Sequence, residues 1–400
     1  MIPYGKHYLD EDDVQAVVDV LRTGALTQGP KIAEFEKRIA EYTGAKYAIA
    51  VSSGTAALHL ACIAADLGEG DKVFTSANTF VASANCALYV GATPEFTDID
   101  PNTLNMDPDD LYRRCKSISN VKGIIPVHFA GLACNMARIR EIANEFDSIL
   151  IEDASHALGA TYADGSKVGN CRYSEMTVFS FHPVKGIAAG EGGMITTNDE
   201  HIFQRLLKLR SHGICKGNFE FPGISIPDND LMKPDRALEG TDLKMWYYEM
   251  QELGYNYRIT DIQCALAISQ MKKINIFLER RQEIAATYDM AFQSFNWVSG
   301  TQLEGRRQSS HHIYVVRINF SQLEKTRHQF MKKLSESEVG TQVHYIPVPM
   351  HPYYETRGYQ MSDYPETEEY YRHALSIPMY YELSDTEQQH VINSIVDIAN

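Results

Sequence analysis

The sequence contains no cluster of basic residues. Its 37 Lys and Arg stand against 52 Asp and Glu, a formal net charge of −15. Affinity for nucleic acid rests on phosphate neutralisation, so nucleic acid is excluded as a partner, although a local pocket can still be positive enough for a nucleotide-linked small molecule. Cysteine is sparse and unpaired in pattern. Cys62, Cys86, Cys115, Cys134, Cys171, Cys215 and Cys264 never form a C-x-x-C, which excludes a disulfide framework or a zinc ribbon and fits buried thiols in a reducing compartment. The 14 histidines include the adjoining His311-His312 but no H-E-x-x-H, so no metal is expected. There is no G-x-G-x-x-G after the first strand and no Walker A run, which leaves NAD and ATP unsupported. No apolar stretch is long enough for a bilayer, and MIPYGKHYLDEDD has no basic segment leading into an apolar one; a cytoplasmic protein with no membrane partner is the expectation. Repeats and low-complexity segments are also missing. At 44% hydrophobic and 22% charged, the chain is not disordered.

What the sequence does contain is the alternation of an α/β fold. Its 400 residues can bury a large core, and they read as one big domain with a smaller one. Asp10 and Gly24 bracket a first helix with Val14, Val17, Val18 and Leu21 on its apolar face; Ile32, Phe35 and Ile39 mark a second, closed by Gly44. Short apolar runs at 47–51, 72–75, 95–97, 123–127 and 148–151 alternate with helical patterns at 56–65, 81–90, 107–117 and 136–146. This order predicts a mostly parallel sheet covered on both faces. Two further strands are expected at 176–181 and 193–197. Residues 215–252, rich in Gly, Pro, Asn and Asp, read as an insert. Thr260 and Gln263 form a capping box for a long helix, and strands at 312–320 and 341–346 with helices at 323–334 and 385–399 predict a smaller α+β domain. The boundary expected is 1–253, an N-terminal arm and large domain, against 254–400.

Three segments carry chemistry. Ser52-Ser53-Gly54-Thr55 follows a strand and opens a helix, so free N–H groups, the helix dipole and a hydroxyl face a prospective anion; an ordinary helix cap explains the same residues. Glu152-Asp153-Ala154-Ser155-His156 sits at the carboxyl end of a strand, where open parallel sheets collect ligands, or where a carboxylate simply caps a turn. Lys185 lies in Ser180-Phe181-His182-Pro183-Val184-Lys185, ahead of a glycine-rich turn; such a lysine is either a surface charge or an amine tuned for Schiff-base formation. In this order the three are the handles that pyridoxal 5′-phosphate needs: donors for the phosphate, an acid for the ring nitrogen and an amine for the aldehyde. Phe80 offers a flat face for the ring, or plain core packing.

The segments SSGTAALHLA, TFVASAN, EDASHALGA and SFHPVKGIAAGEGG resemble the successive motifs of the DegT/DnrJ/EryC1/StrS sugar aminotransferases, and LTQGPKIAEFE, LGYNYRITDIQCALAISQMKK and QVHYIPV extend the resemblance along the chain. Within the family, WYYEMQELGYNYR is most similar to the PseC-type enzymes, which make UDP-4-amino-4,6-dideoxy-N-acetyl-β-L-altrosamine on the pseudaminic acid pathway. The resemblance implies the aspartate aminotransferase-like fold type I and transfer of an amino group from L-glutamate to C4 of a UDP-linked 4-keto-6-deoxy-N-acetylhexosamine. Rival readings are a 3- or 4-aminotransferase for another nucleotide-linked keto sugar, and a cofactor-binding regulator without turnover. It also implies roles: Lys185 as the Schiff-base lysine, Asp153 on the ring nitrogen, His156 beside the phenolic oxygen, Gly54, Thr55 and Ser180 on the phosphate, and Phe80 stacked on the ring. Asn256 would reach the phosphate across a homodimer with shared active sites. Tyr4, Gly24, Ala25, Leu26, Thr27, Ala56, Ser180, Asn256, His311, His312, Ile313 and Tyr314 match positions that hold the UDP-sugar. A dehydrating branch of the family carries His where this chain has Lys185, and its absence here favours transamination.

Overall fold

The computed structural model describes residues 1–215, 238–239, 242–243, 246 and 248–399, so most of the 215–252 insert, and the role expected for it, lies outside the described residues. Its main sheet has seven strands: β1 (Tyr47–Val51), β2 (Lys72–Ser76), β3 (Thr93–Thr97), β4 (Val121–Ile125), β5 (Ile149–Asp153), β6 (Met176–Ser180) and β7 (Gly193–Thr197). They lie in the order β1-β7-β6-β5-β4-β2-β3. β7 runs against both of its neighbours, and every other pair is parallel. The chain therefore has the α/β, aspartate aminotransferase-like architecture that the alternation and the resemblance predict.

Most of the strands read as largely apolar runs because both sheet faces are buried; the edge strand β3, Thr-Pro-Glu-Phe-Thr, does not. Alternate side chains point to opposite faces. On β1, Ala48 and Ala50 join one core cluster while Ile49 and Val51 join the other; on β5, Leu150 and Ile151 divide the same way. The covering helices are α1 (Glu11–Thr23), α2 (Pro30–Thr43), α3 (Gly54–Ala64), α4 (Ala82–Tyr89), α5 (Pro108–Ser117), α6 (Met136–Glu145) and α7 (Glu200–Arg210). Asp10 caps α1 through a reciprocal bond pair with Asp13, and Gly24 ends it in the left-handed conformation at φ 89°. The apolar face expected on α1 is only partly covered within one chain. Val14 and Leu21 are 50% and 55% exposed, and Val20 is the residue that packs inward.

The long helix expected after Thr260 is two: α8 (Asp261–Met271) and α9 (Ile274–Phe292). Ile259, Cys264, Ala267, Ile268, Met271 and Ile274, all past residue 253, pack into the core of the large sheet, whereas Ile284, Tyr288 and Phe292 belong to a second core. That second core is built on the antiparallel strands Val298–Gly300, Tyr314–Ile318 and Ala374–Ile377, with helices Arg327–Glu336 and Asp385–Ala399 over them. The strand expected at 341–346 makes only the single bridge Gln342–Ser376. Its His344 bonds the Ser376 hydroxyl at 2.8 Å, and His344 and Tyr345 line the cavity described below. Among the described residues no helix is long and apolar enough to cross a membrane.

Candidate active site

β1, β5 and β6 share one direction, because β1 and β6 both oppose β7, and their carboxyl ends open on one edge of the sheet. A cavity of about 460 Å³ lies there. Its lining brings together Ser53, Gly54, Thr55, Phe80, Asp153, His156, Ser180 and Lys185, from four separate stretches of chain.

The first wall is the start of α3. The Ser53 side chain accepts from the Ala56 N–H at 3.1 Å, and its carbonyl accepts from Ala57. Among the described residues nothing accepts from the N–H of Gly54 or Thr55, and the Thr55 and Ser180 hydroxyls make no hydrogen bond. Donors left free at a helix N-terminus form an anion site. The site depends on close backbone approach: a Cβ on Gly54 would stand 2.9 Å from the Ser180 Cβ.

The second wall is the end of β5, where strand alternation separates two adjacent acids. Glu152 turns into the core and is fully buried. It accepts from His128 Nε2 at 2.7 Å and the Tyr162 hydroxyl at 2.8 Å, and it also bonds Ser174. Burial alone would raise its pKa; the donors from His128, Ser174 and Tyr162 outweigh that and hold it below the usual value. Asp153 turns into the cavity. Its carboxylate accepts from the Ser83 hydroxyl at 2.7 Å and the Ser155 N–H at 3.1 Å, leaving acceptor capacity toward the opening.

Lys185 completes the constellation from the loop after β6, where its N–H bonds the His182 carbonyl at 2.8 Å. Burial of its ammonium lowers the pKa to about 8, and the nearby Asp153 charge only partly offsets this. His156 is held well below its ordinary value by burial and by the Lys185 charge, and His344 is brought down to about 4 by the same causes. Neutral imidazoles therefore surround an amine poised near neutral pH.

Two contributors escaped the sequence reading. Tyr345 lines the cavity and its hydroxyl meets His156 Nε2 at 3.0 Å, while His156 Nδ1 accepts from the Ala130 N–H at 3.3 Å. The nearest signal was the aromatic in QVHYIPV. Ser83, four residues after Thr79 in TFVASAN, carried only its helical spacing as a sign.

The sugar-side residues divide. Tyr4 lines the cavity, its ring 5.6 Å from that of His344. Phe80 lines it too, 56% exposed and 5.9 Å from the Tyr345 ring. Gly24, Leu26, Thr27 and Asn256 are exposed, Ala25 is half-buried, and none of them borders the cavity of their own chain. Ala56 is buried within α3. His311, His312, Ile313 and Tyr314 are buried and do not line the cavity: His312 packs behind His156 at 4.3 Å between rings, and the Tyr314 hydroxyl bonds Asp289. Among the described residues no cluster of His, Cys, Asp and Glu could hold a metal ion.

The family model described as "DegT/DnrJ/EryC1/StrS aminotransferase family" matches residues 7–396. The chain belongs to that family. It is 37% identical over 399 residues to the spore coat polysaccharide biosynthesis protein SpsC of Bacillus subtilis, covering 99% of this chain and 97% of that protein. It is 34% identical over 400 residues to the UDP-4-amino-4,6-dideoxy-N-acetyl-beta-L-altrosamine transaminase of Campylobacter jejuni, covering 100% and 97%. Among solved structures, Helicobacter pylori PseC, an aminotransferase of pseudaminic acid biosynthesis, superposes with a TM-score of 0.87 at 27% identity, over 99% of this chain and 98% of that one. The sugar aminotransferase Spr1654 of Streptococcus pneumoniae, in its PMP-form, gives 0.86 at 28% identity over 100% and 99%. Spr1654 has also been solved in a PLP-form.

Proposed function

We propose that this protein is a pyridoxal phosphate-dependent aminotransferase that moves the amino group of L-glutamate to C4 of a UDP-linked 4-keto-6-deoxy-N-acetylhexosamine, as in pseudaminic acid biosynthesis. The observation that carries this is Lys185 facing Asp153 across a cavity floored by unpaired donors at the start of α3. The residues present fit the cofactor. Free N–H and hydroxyl groups at 54, 55 and 180 suit its phosphate, the open side of the Asp153 carboxylate suits a protonated ring nitrogen, and the Phe80 ring offers a stacking face. When bound, pyridoxal phosphate supplies an aldehyde that carries the amino group and a ring that accepts the electron pair released at the donor's Cα.

The protein's own groups do the rest. Lys185 Nζ would hold the aldehyde and, freed when the amino donor takes its place, would carry a proton from the donor's Cα to the cofactor in the first half-reaction and from the cofactor to sugar C4 in the second. An amine with a pKa of about 8 can serve in both states. The Asp153 carboxylate is placed to meet the ring nitrogen, and His156, held neutral by burial, neighbours the phenolic oxygen. Tyr4 faces the sugar. Gly24–Thr27 and Asn256, exposed in one chain, are assigned to a neighbouring site across a homodimer.

The similarity to a spore coat polysaccharide protein supports a second reading, in which the acceptor is a different nucleotide-linked keto sugar. Incubating the holoenzyme with ¹⁵N-L-glutamate and a panel of 4-keto and 3-keto sugars on UDP and dTDP separates the two. ¹⁵N at C4 of the UDP-linked N-acetyl sugar supports the first reading; ¹⁵N on another sugar alone selects the second; none in any sugar refutes both.

A further inference from the structure

Ser83 and Thr79 have been given no part in the reaction above, yet they form a buried chain that ends on Asp153. Both side chains are 1% exposed. The Ser83 hydroxyl stands 2.7 Å from Asp153 Oδ2, and the Thr79 hydroxyl stands 2.9 Å from Ser83. A carboxylate can only accept, so the Ser83 proton goes to Asp153 and Thr79 must donate to Ser83. The direction of the chain is therefore fixed: Thr79 to Ser83 to Asp153. On the other carboxylate oxygen, Oδ1, the Ser155 N–H bonds at 3.1 Å.

We infer that Ser83 is a positioning residue for the ring nitrogen's partner, with Thr79 behind it. A carboxylate at the end of a strand turns freely about its last bond unless both oxygens are tied. Here Ser155 ties one and Ser83 the other, so the remaining lone pairs of Asp153 aim into the cavity in one orientation. Thr79, buried at the turn into α4 (Ala82–Tyr89) and also on the cavity wall, stops Ser83 from rotating away. Supporting groups of this kind hold a reacting group within a fraction of an ångström of its working position. Loss of a hydrogen bond to a charged group changes an equilibrium constant roughly tenfold or more. This inference rests on the proposed role of Asp153, and its test separates the two.

The probes are pyridoxal 5′-phosphate and its 1-deaza analogue, in which carbon replaces the ring nitrogen, titrated into the apoprotein by fluorescence. The native protein should prefer the nitrogen-containing ring; if it shows no preference, Asp153 does not face that nitrogen and both claims fall. In Ser83→Ala the preference should shrink about tenfold, because only the contact through Asp153 distinguishes the ligands, while general damage to the pocket weakens both alike. Ser83→Thr keeps a hydroxyl and should restore the preference. Thr79→Val should give a smaller loss, and no further loss when added to Ser83→Ala, since it acts through Ser83. Should Ser83→Ala fail to fold, Thr79→Val and Ser83→Thr decide by the same ratio. An unchanged preference in Ser83→Ala, or a Ser83→Thr protein as impaired as Ser83→Ala, overturns the inference.

Discussion

Lys185 and Asp153 show how environment rather than residue type makes a site. A free lysine stays charged to about pH 10.4, but burial brings Lys185 to about 8. Its amine is therefore protonated and unreactive below that value and nucleophilic above it. The rate at which the apoprotein takes up pyridoxal phosphate should climb from pH 7 to about 8 and then level off, as followed by absorbance; a rate still climbing steeply at pH 10 would place the reaction on an ordinary surface lysine. Asp153→Asn keeps the shape but removes the charge that balances a protonated ring nitrogen. Turnover should fall by roughly two to four orders of magnitude while the cofactor stays bound, because electrostatic and acid–base contributions have that size. Steady-state kinetics on the loaded variant checks it, and near-normal turnover would remove Asp153 from the account. Both residues were visible in the sequence, because each follows an apolar strand and carries a reactive group. Ser83 and Tyr345 were not. Their meaning comes from partners 70 and 189 residues away, and no local pattern encodes such a meeting.

At the scale of elements, the strands of the large sheet were legible because burial on both faces leaves an apolar signature in five residues. The failures have physical causes. Ala374–Ile377 follows the helix Pro365–His373 with no intervening turn residue, so nothing in the sequence marked a new strand. The 341–346 segment has strand-like composition but pairs only at Gln342, and its His344 and Tyr345 line the cavity. The capping box Thr260–Gln263 was readable, whereas its neighbour Asp261 was not. Asp261 is fully buried and caps a different helix, accepting from the Gly29 and Lys31 N–H groups at 2.8 and 2.9 Å, and so joins α8 to the start of α2. Asp261→Ala leaves two backbone donors unpaired and should cost the apoprotein about 2–3 kcal/mol in urea denaturation. A change below about 0.5 kcal/mol would show that the cap is dispensable.

The whole molecule, as one chain, leaves large apolar side chains exposed close in sequence to some of the expected sugar contacts: Val14 and Leu21 on α1, Leu26 in the loop after it, and Leu253 just before Asn256. The homodimer with shared sites proposed above would cover such residues and would give the exposed Asn256 a partner. Its consequence is arithmetic. Lys185→Ala and Asn256→Asp, each inactive alone, should complement when subunits exchange, because a mixed dimer then has one site with both lesions and one with neither. With random pairing about a quarter of all sites are intact, given two-fold symmetry. Recovered activity near that fraction supports the shared site; no recovery, with exchange verified by mass, refutes it.

The central claim is that the amine of Lys185, set opposite Asp153, is where this protein holds its cofactor. Borohydride reduction of the holoprotein followed by peptide mapping tests it directly. The account predicts a pyridoxyl group on the peptide containing Lys185, and a Lys185→Ala protein that folds but takes up no label. A label on any other lysine, or none after saturation with pyridoxal phosphate, would contradict it.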